Sequence, residues 1–317
     1  MPGFNMEHQE RVRAALAGER VDRPPFVLWH HFRPAASPAA LGTAVVDFFG
    51  RLDFDIMKVM PDLPYPDPPG GVRGTTDWAK LPRLDAHEGE LSGMPDAVEA
   101  VRRARPKAVV LTTVFSPLAT AIKLAGGYDP FCRHLQTDPD AVREGLRIVS
   151  ANLAAMCEEC LRRGSDGIYF ATNGQGDGLF TEQEYAQFGR PFDLQVLGAC
   201  ASGWVNVLHM HAASGLEWRW TADYPVQVFS WSDRRTGIPL REVAAELPGR
   251  TVMGGIDEFG AIVDGRMDVV AEEMHDAVRQ MSGRHLILAG GCSVPDEINE
   301  EHLATARRLV DRLPSEF

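Results

Sequence analysis

Short apolar segments alternate along the chain with longer amphipathic ones. Between the short segments, stretches such as Asp140–Arg163 and Thr181–Ser202 repeat apolar residues at helical spacing. Continuous apolar strands that alternate with helices are typical of a parallel sheet covered by helices. The pattern predicts eight buried strands, rich in β-branched residues, at Pro25–Trp29, Ile56–Met60, Ala108–Phe115, Gly167–Ala171, Val205–His209, Val226–Ser230, Thr251–Gly255 and His285–Ala289.

Eight such units in 317 residues predict one α/β domain over residues 1–317, a closed (β/α)8 TIM barrel. An N-terminal helix is predicted over residues 5–18. Residues 60–74 contain five prolines and three glycines, and proline removes a backbone donor from a helix or central strand. We therefore predict a loop over the barrel mouth at 60–74 rather than a domain boundary.

The composition of the chain favours a globular protein and argues against a nucleic-acid-binding or membrane protein. A hydrophobic content of 44% fits a globular core, and a net charge of −12 argues against a nucleic-acid partner. No secretory segment and no apolar run of membrane-spanning length is apparent, so we expect no membrane association. Five scattered cysteines are typical of free thiols in a reducing cytoplasm. The expected partner is a small-molecule substrate, and a homodimer stays open.

The sharpest chemical feature is His209-Met210-His211 after the fifth strand, together with Cys292 after the eighth. Active sites of such barrels lie at the carboxyl ends of the strands. Residues two apart on an extended segment point to the same side, so both imidazoles can share one metal while Met210 enters the wall. Three protein ligands would leave the open position of a catalytic zinc site. The alternative is satisfied polar histidines and a small buried cysteine.

Five segments resemble the uroporphyrinogen decarboxylase superfamily in order along the chain. The most specific is ERVRAALAGERVDRPPFVLW at Glu10–Trp29. The others are Phe54–Met60, Ser116–Gly127, Phe188–Phe192 and Leu288–Pro295. The resemblance covers nearly the whole chain and implies the same barrel.

The superfamily has two branches, and the chain is more similar to the zinc-dependent methylcobamide:coenzyme M methyltransferases. Their H-x-C pair and distant cysteine match His209, His211 and Cys292. The resemblance therefore implies zinc held by these residues and a methylcorrinoid co-substrate, free or on a corrinoid protein partner. The middle ligand differs, because His211 stands where that branch has cysteine.

The decarboxylase branch is matched less well. Trp29–Arg33, WHHFR, stands where decarboxylases carry an arginine-rich motif that holds tetrapyrrole carboxylates. Asp55 matches the decarboxylase aspartate, but Lys123 and Thr172 stand near the family tyrosine and serine. The region of Cys292 replaces a late histidine, so a porphyrinogen decarboxylase is not expected.

The remaining candidates follow from their places near strand ends. His30 and Asp55 are predicted as catalytic acid or base groups, and His31, Asn173 and Lys123 as substrate-binding groups. Adjacent residues on an extended segment face opposite sides, so only one of His30 and His31 is expected to enter the site.

Three functions are consistent with these residues. The first is a zinc-dependent methyl (one-carbon) transferase that activates a substrate thiol or another nucleophile. The second is a metal-dependent lyase, hydrolase or decarboxylase on the same barrel. Two neutral histidines and one thiolate leave the metal with more positive charge than two thiolates would, which favours polarising oxygen over activating a thiol. The third is a metal-free binding protein for a tetrapyrrole or corrinoid.

Overall fold

The eight predicted strands form a nearly closed parallel barrel. The computed structural model describes residues 5–33, 35–68 and 71–313. Each strand lies within two residues of its predicted bounds. The strands are β1 Phe26–Val27, β2 Ile56–Val59, β3 Val109–Phe115, β4 Gly167–Thr172, β5 Val207–Met210, β6 Val228–Trp231, β7 Thr251–Ile256 and β8 Leu286–Gly290.

Neighbouring strands pair in the order β1-β8-β7-β6-β5-β4-β3-β2, and every pair is parallel. Phe26 pairs with Leu288, so the first strand lies against the last. The strand residues are buried almost throughout, because helices cover the outside and side chains fill the inside. This is the predicted (β/α)8 barrel.

Helices connect the strands on the outside of the barrel. Two short 3-10 helices lie at Thr75–Lys80 and Trp218–Thr221. The α-helices of the described residues are α1 His8–Leu16, α2 Pro38–Leu52, α3 Gly93–Ala104, α4 Pro117–Leu124, α5 Tyr128–Thr137, α6 Pro139–Arg162, α7 Glu182–Phe188, α8 Arg190–Ala199, α9 Asp233–Thr236, α10 Leu240–Glu246, α11 Ala261–Asp264, α12 Met267–Met281 and α13 Glu300–Val310.

Local signals explain where several helices begin and end. Ser37 caps α2 by accepting a hydrogen bond from the amide of Ala40, and Asp138 caps α6 in the same way. The N-terminal helix is shorter than predicted, His8–Leu16 instead of residues 5–18. Gly18 follows it with φ +67°, a conformation that glycine adopts without strain.

The gap between β1 and β2 is closed by Asp55, the residue before β2. Its amide donates to the carbonyl of Phe26 at 3.0 Å, and its carboxylate accepts from the amide of Phe26 at 2.8 Å. The same carboxylate pairs with Arg11 and, at 2.6 Å, with Arg23. All three side chains of this ion cluster are buried, so it joins the barrel seam to α1.

The predicted mouth loop begins directly after β2 and continues to the 3-10 helix at Thr75. Residues 69 and 70 of this loop lie outside the described ranges. No helix within those ranges is long and apolar enough to cross a lipid bilayer.

Candidate metal centre

His209 and His211 project from the end of β5. Their ring centroids are 5.9 Å apart, and Met210 between them is fully buried in the wall, as predicted. The Met210 sulfur accepts a hydrogen bond from the hydroxyl of Thr221 at 3.3 Å. The amide of His211 donates to the carbonyl of Thr172 at 2.9 Å, which extends the β4–β5 pairing to this residue.

Cys292 reaches the two histidines from the loop after β8. Its Sγ lies 3.7 Å from Nδ1 of His211. One ligand atom from each of the three residues lies within 4.8 Å of the others. Gly291 allows this approach, because a Cβ there would stand 2.3 Å from the Cα of Ser232. The structure therefore brings together all three residues predicted as metal ligands.

The surroundings of His209 fit a metal ligand. Its Nε2 is buried and has no hydrogen-bond partner among the described residues. Its Nδ1 lies 3.4 Å from Oγ of Ser230, and its ring stacks on Tyr169 with centroids 5.4 Å apart. A buried ring nitrogen without a partner is costly, whereas a metal would satisfy it. Two nitrogens and one sulfur are a donor set that zinc accepts.

The pKa shifts of Cys292 and His209 favour the protonation states that bind a metal cation. Burial alone would raise the pKa of the Cys292 thiol, but the two neighbouring histidines lower it well below its usual value. Burial lowers the pKa of His209, which favours the neutral ring that a metal ligand needs. The contact with Cys292 raises the pKa of His211, although burial opposes that shift. The two shifts favour a charged pair of His211 and Cys292 over a neutral one.

The cluster opens into a cavity of about 250 Å³ at the carboxyl end of the barrel. This volume is below the range usual for drug-sized ligands, so the cavity suits a small substrate. The loops and strands around it supply Trp29, His31, Lys58, Met60, Pro61, Thr113, Phe115, Tyr169, Ala171, Asn173, His209, His211, Cys292 and Ser293.

Lys58, which the sequence reasoning missed, is the buried cation of this cavity. It is the third residue of β2 and only 2% exposed. Its Nζ lies 4.3 Å from the centroid of the Trp29 ring and 3.8 Å from that of Tyr169. Burial lowers the pKa of the amine to about 7, although the charges of Cys292 and Asp62 oppose the shift. A lysine inside an otherwise apolar strand was the available signal.

Of the two adjacent histidines, His31 enters the cavity. Its Nδ1 lies 2.6 Å from Oδ1 of Asp62, whose other oxygen accepts from the amide of Phe32 at 2.7 Å. His30 instead packs edge-on against Phe48, and its Nδ1 contacts the carbonyl of His31. The alternation was predicted, but the structure does not bring the proposed catalytic residue His30 to the cavity.

The other predicted site residues fall in three different places. Asn173 lines the cavity. Lys123 is exposed on α4 and lines a neighbouring, smaller cavity that shares Pro61, Thr113 and Phe115 with the first. Asp55 lies before β2, at the amino end of the barrel, where Arg11 pairs with it. The structure contradicts a catalytic position for Asp55, because residues before and after a parallel strand lie at opposite ends of the barrel.

Glu258 is a second residue that the sequence reasoning missed. It follows β7 and is 1% exposed. Its Oε1 accepts from the hydroxyl of Ser232 at 2.6 Å, while Oε2 has no partner among the described residues. Oε2 would lie 2.9 Å from a Cβ at Gly291, the residue before Cys292. Burial raises the pKa of this carboxyl, and the Ser232 hydrogen bond only partly opposes the shift.

Reactive side chains at the carboxyl ends of eight parallel strands define a barrel enzyme. The uroporphyrinogen decarboxylase (URO-D) family model matches residues 57–313. The chain belongs to this family. No curated protein sequence matches the chain significantly.

The solved structures that share the fold include a methyltransferase and a methionine synthase. A methyltransferase from Methanosarcina mazei is similar with a TM-score of 0.77 and 15% identity, over 97% of this chain and 99% of that one. A B12-independent methionine synthase from Shewanella sp. W3-18-1, in complex with selenomethionine, is similar with a TM-score of 0.58 and 10% identity, over 91% of this chain and 96% of that one. At these identities the similarity concerns the fold alone.

Proposed function

We propose that this protein is a zinc-dependent methyltransferase that methylates a thiol or another nucleophile of a small substrate. The cluster of His209, His211 and Cys292 carries the proposal, because three ligand atoms meet within 4.8 Å beside a cavity. Two proteins with the same fold, a methyltransferase and a methionine synthase, support methyl transfer as the reaction class. A methylcorrinoid, free or on a corrinoid protein, is the methyl donor that we propose.

Zinc would be held by Nε2 of His209, a ring nitrogen of His211 and Sγ of Cys292. When bound, zinc would supply Lewis acidity to a group of the substrate. Ser230 orients the His209 ring through Nδ1, and Met210 anchors the segment between the two histidines in the wall.

His31 is the residue best placed to move a proton. An Nδ1–H that donates to Asp62 leaves Nε2 free to accept a proton inside the cavity. The nucleophile would lose its proton to this nitrogen and form the new bond to the methyl carbon. The donor would keep the electron pair of the broken bond, so the step balances without another reactant.

The first experiment measures zinc and methyl transfer in the same preparations. We expect about one zinc ion per chain by mass spectrometry, and thiol-dependent demethylation of methylcobalamin followed by absorbance. His211→Ala and Cys292→Ala should lose the metal and the activity. Cys132→Ala is the matched control for Cys292→Ala, because it removes a free cysteine of similar exposure that lies on α5 and outside the cluster.

The outcomes separate the alternatives. A wild-type protein that folds but binds no zinc would contradict the metal site. Stoichiometric zinc without demethylation by any thiol would contradict methyl transfer from a corrinoid. Metal-dependent hydrolysis or decarboxylation by that same protein would then identify the second function that the donor set allows.

A further inference from the structure

Lys58 is a buried amine inside the barrel, and its protonated form has no matching anion. Its only hydrogen-bond contact among the described residues is the Met60 sulfur, at 3.4 Å from Nζ. A thioether is a weak acceptor, and lysines are almost never fully buried unless they are paired. Within the described ranges, no carboxylate forms an ion pair with Nζ. Asp62 acts on it only at longer range, because its oxygens are bound to His31 and the amide of Phe32.

Two aromatic rings hold the ammonium in place. Trp29 and Tyr169 lie on it with ring centroids 4.3 and 3.8 Å from Nζ. Such cation–π contacts stabilise a charged amine over a neutral one. They leave N–H donors unused, since the faces of the rings offer no hydrogen-bond acceptor comparable to oxygen. A polar donor prepared in this way inside a cavity is typical of a ligand-binding group.

The charge of the cavity also favours a ligand-binding role for Lys58. Lys58 lines the same cavity as the cluster, and the described residues that line it include no aspartate and no glutamate. A divalent metal with two neutral imidazoles and one thiolate keeps one net positive charge. Together with a protonated Lys58, such a metal would make the cavity positive, which would favour an anionic ligand.

We propose that Lys58 binds a carboxylate of the substrate and thereby selects small carboxylates as methyl acceptors. The inference rests on the proposed function for the identity of the reacting group, but the carboxylate contact follows from Lys58 itself. With about 250 Å³ available, one small molecule can place its carboxylate at Nζ and its nucleophile at the cluster. Lys58 is here a specificity-determining residue.

A matched pair of thiols tests this proposal. 3-Mercaptopropionate and 3-mercapto-1-propanol have the same length and thiol and differ in the carboxylate. We expect the zinc-loaded protein to bind the carboxylate compound at least about tenfold more tightly in calorimetry, since hydrogen bonds to charged groups are the strong ones. Lys58→Met should remove this preference while the neutral thiol binds as before. Lys123→Met, on an exposed lysine of the neighbouring cavity, should keep the preference.

Equal affinity of the wild-type protein for both thiols would overturn the proposal, and so would a preference that persists in a folded Lys58→Met variant. If that variant fails to fold, the comparison of the two ligands on zinc-free wild-type protein remains decisive, because the metal charge then contributes nothing to the preference. Demethylation with the neutral thiol reports on the proposed function separately. Activity without a carboxylate preference would overturn only the inference, whereas a Lys58-dependent preference without zinc or activity would overturn only the proposed function.

Discussion

The carboxylate of Asp62 holds the ring of His31, with 2.6 Å between Oδ1 and Nδ1. Asp62 also accepts the Phe32 amide, so it joins the loop after β2 to the loop after β1. We expect Asp62→Ala to lower the free energy of unfolding by about 1–3 kcal/mol, because it leaves these donors without an acceptor. Urea denaturation measures this loss. Zinc content should not change, since neither residue is a ligand.

Asp67 in the same mouth loop is exposed and gives the control for this prediction. Asp67→Ala should shift the free energy of unfolding by no more than about 0.5 kcal/mol. Equal effects of the two substitutions would show that the Asp62 contact contributes nothing specific.

The role of Asp55 can be separated from catalysis by its effect on stability. Asp55→Ala would remove the buried carboxylate that Arg11 and Arg23 share, although Arg11 keeps Asp22 and Arg23 keeps Asp311. Breaking a buried ion pair typically costs about 3–5 kcal/mol, and these remaining partners place the expected loss near the lower limit. The folded fraction should still bind zinc, because the carboxylate lies at the opposite end of the barrel. The control is Asp53→Asn, an exposed carboxylate that pairs with Arg307 and should cost no more than about 1 kcal/mol. Loss of zinc from folded Asp55→Ala protein would contradict this assignment.

Ser230 should tune the affinity for metal through His209. Removing an outer-shell hydrogen bond to a ligand typically weakens metal binding by about 10–100-fold, and the length of 3.4 Å places Ser230→Ala near the lower limit. Competition with a chromophoric chelator measures the affinity. Tyr169→Phe removes the other contact of Ser230, from the phenol oxygen, and should leave the affinity unchanged. If Tyr169→Phe weakens binding as much, His209 is not oriented by Ser230.

We expect the free energy of unfolding to depend on pH through the titration of Asp193. Burial raises the pKa of this carboxyl to about 7, although hydrogen bonds from Tyr185 and Tyr224 oppose the shift. The unfolded chain has the ordinary pKa of about 3.9. The carboxyl therefore contributes stability in acid that is lost as the pH rises from about 4 to about 7.

Asp193→Asn removes this titration. The advantage in unfolding free energy of the wild-type protein over the variant should decrease over that pH interval and become constant above it. Asp223→Asn is the comparison, because Arg190 lowers the pKa of that exposed carboxyl and its contribution should be constant above about pH 5. A wild-type advantage over Asp193→Asn that does not depend on pH would contradict the expected shift.

Much of the fold could be predicted because each strand is an apolar run bounded by polar residues. The grouping of His209 with His211 follows from the two-residue period of β5, which puts these residues on one side and Met210 on the other. The alternation of side chains between the two sides of one strand can be read from neighbouring residues alone. The meeting of Cys292 with these histidines depends on the barrel closing, which the strand rhythm implied only indirectly.

The rest of the site could not be predicted for identifiable reasons. The motif match predicts a catalytic role for Asp55 but does not take its position before β2 into account. That position decides which end of the barrel Asp55 occupies. The choice between His30 and His31 depends on how β1 leaves the barrel, and two strand residues do not determine that. The role of Lys58 could not be predicted because its apolar segment is typical of the core. In the structure, this part of the segment lines the cavity.

The seam between β1 and β2 has a consequence for how the chain reaches its native state. The first strand is two residues long and lies between β2 and β8, so one of its neighbours comes from the far end of the chain. Contacts between distant segments must repay the entropy of closing a long loop, and they form slowly. We therefore expect Phe26 to join the barrel late in folding. The ion pairs around Asp55 would then stabilise the barrel only after it has closed.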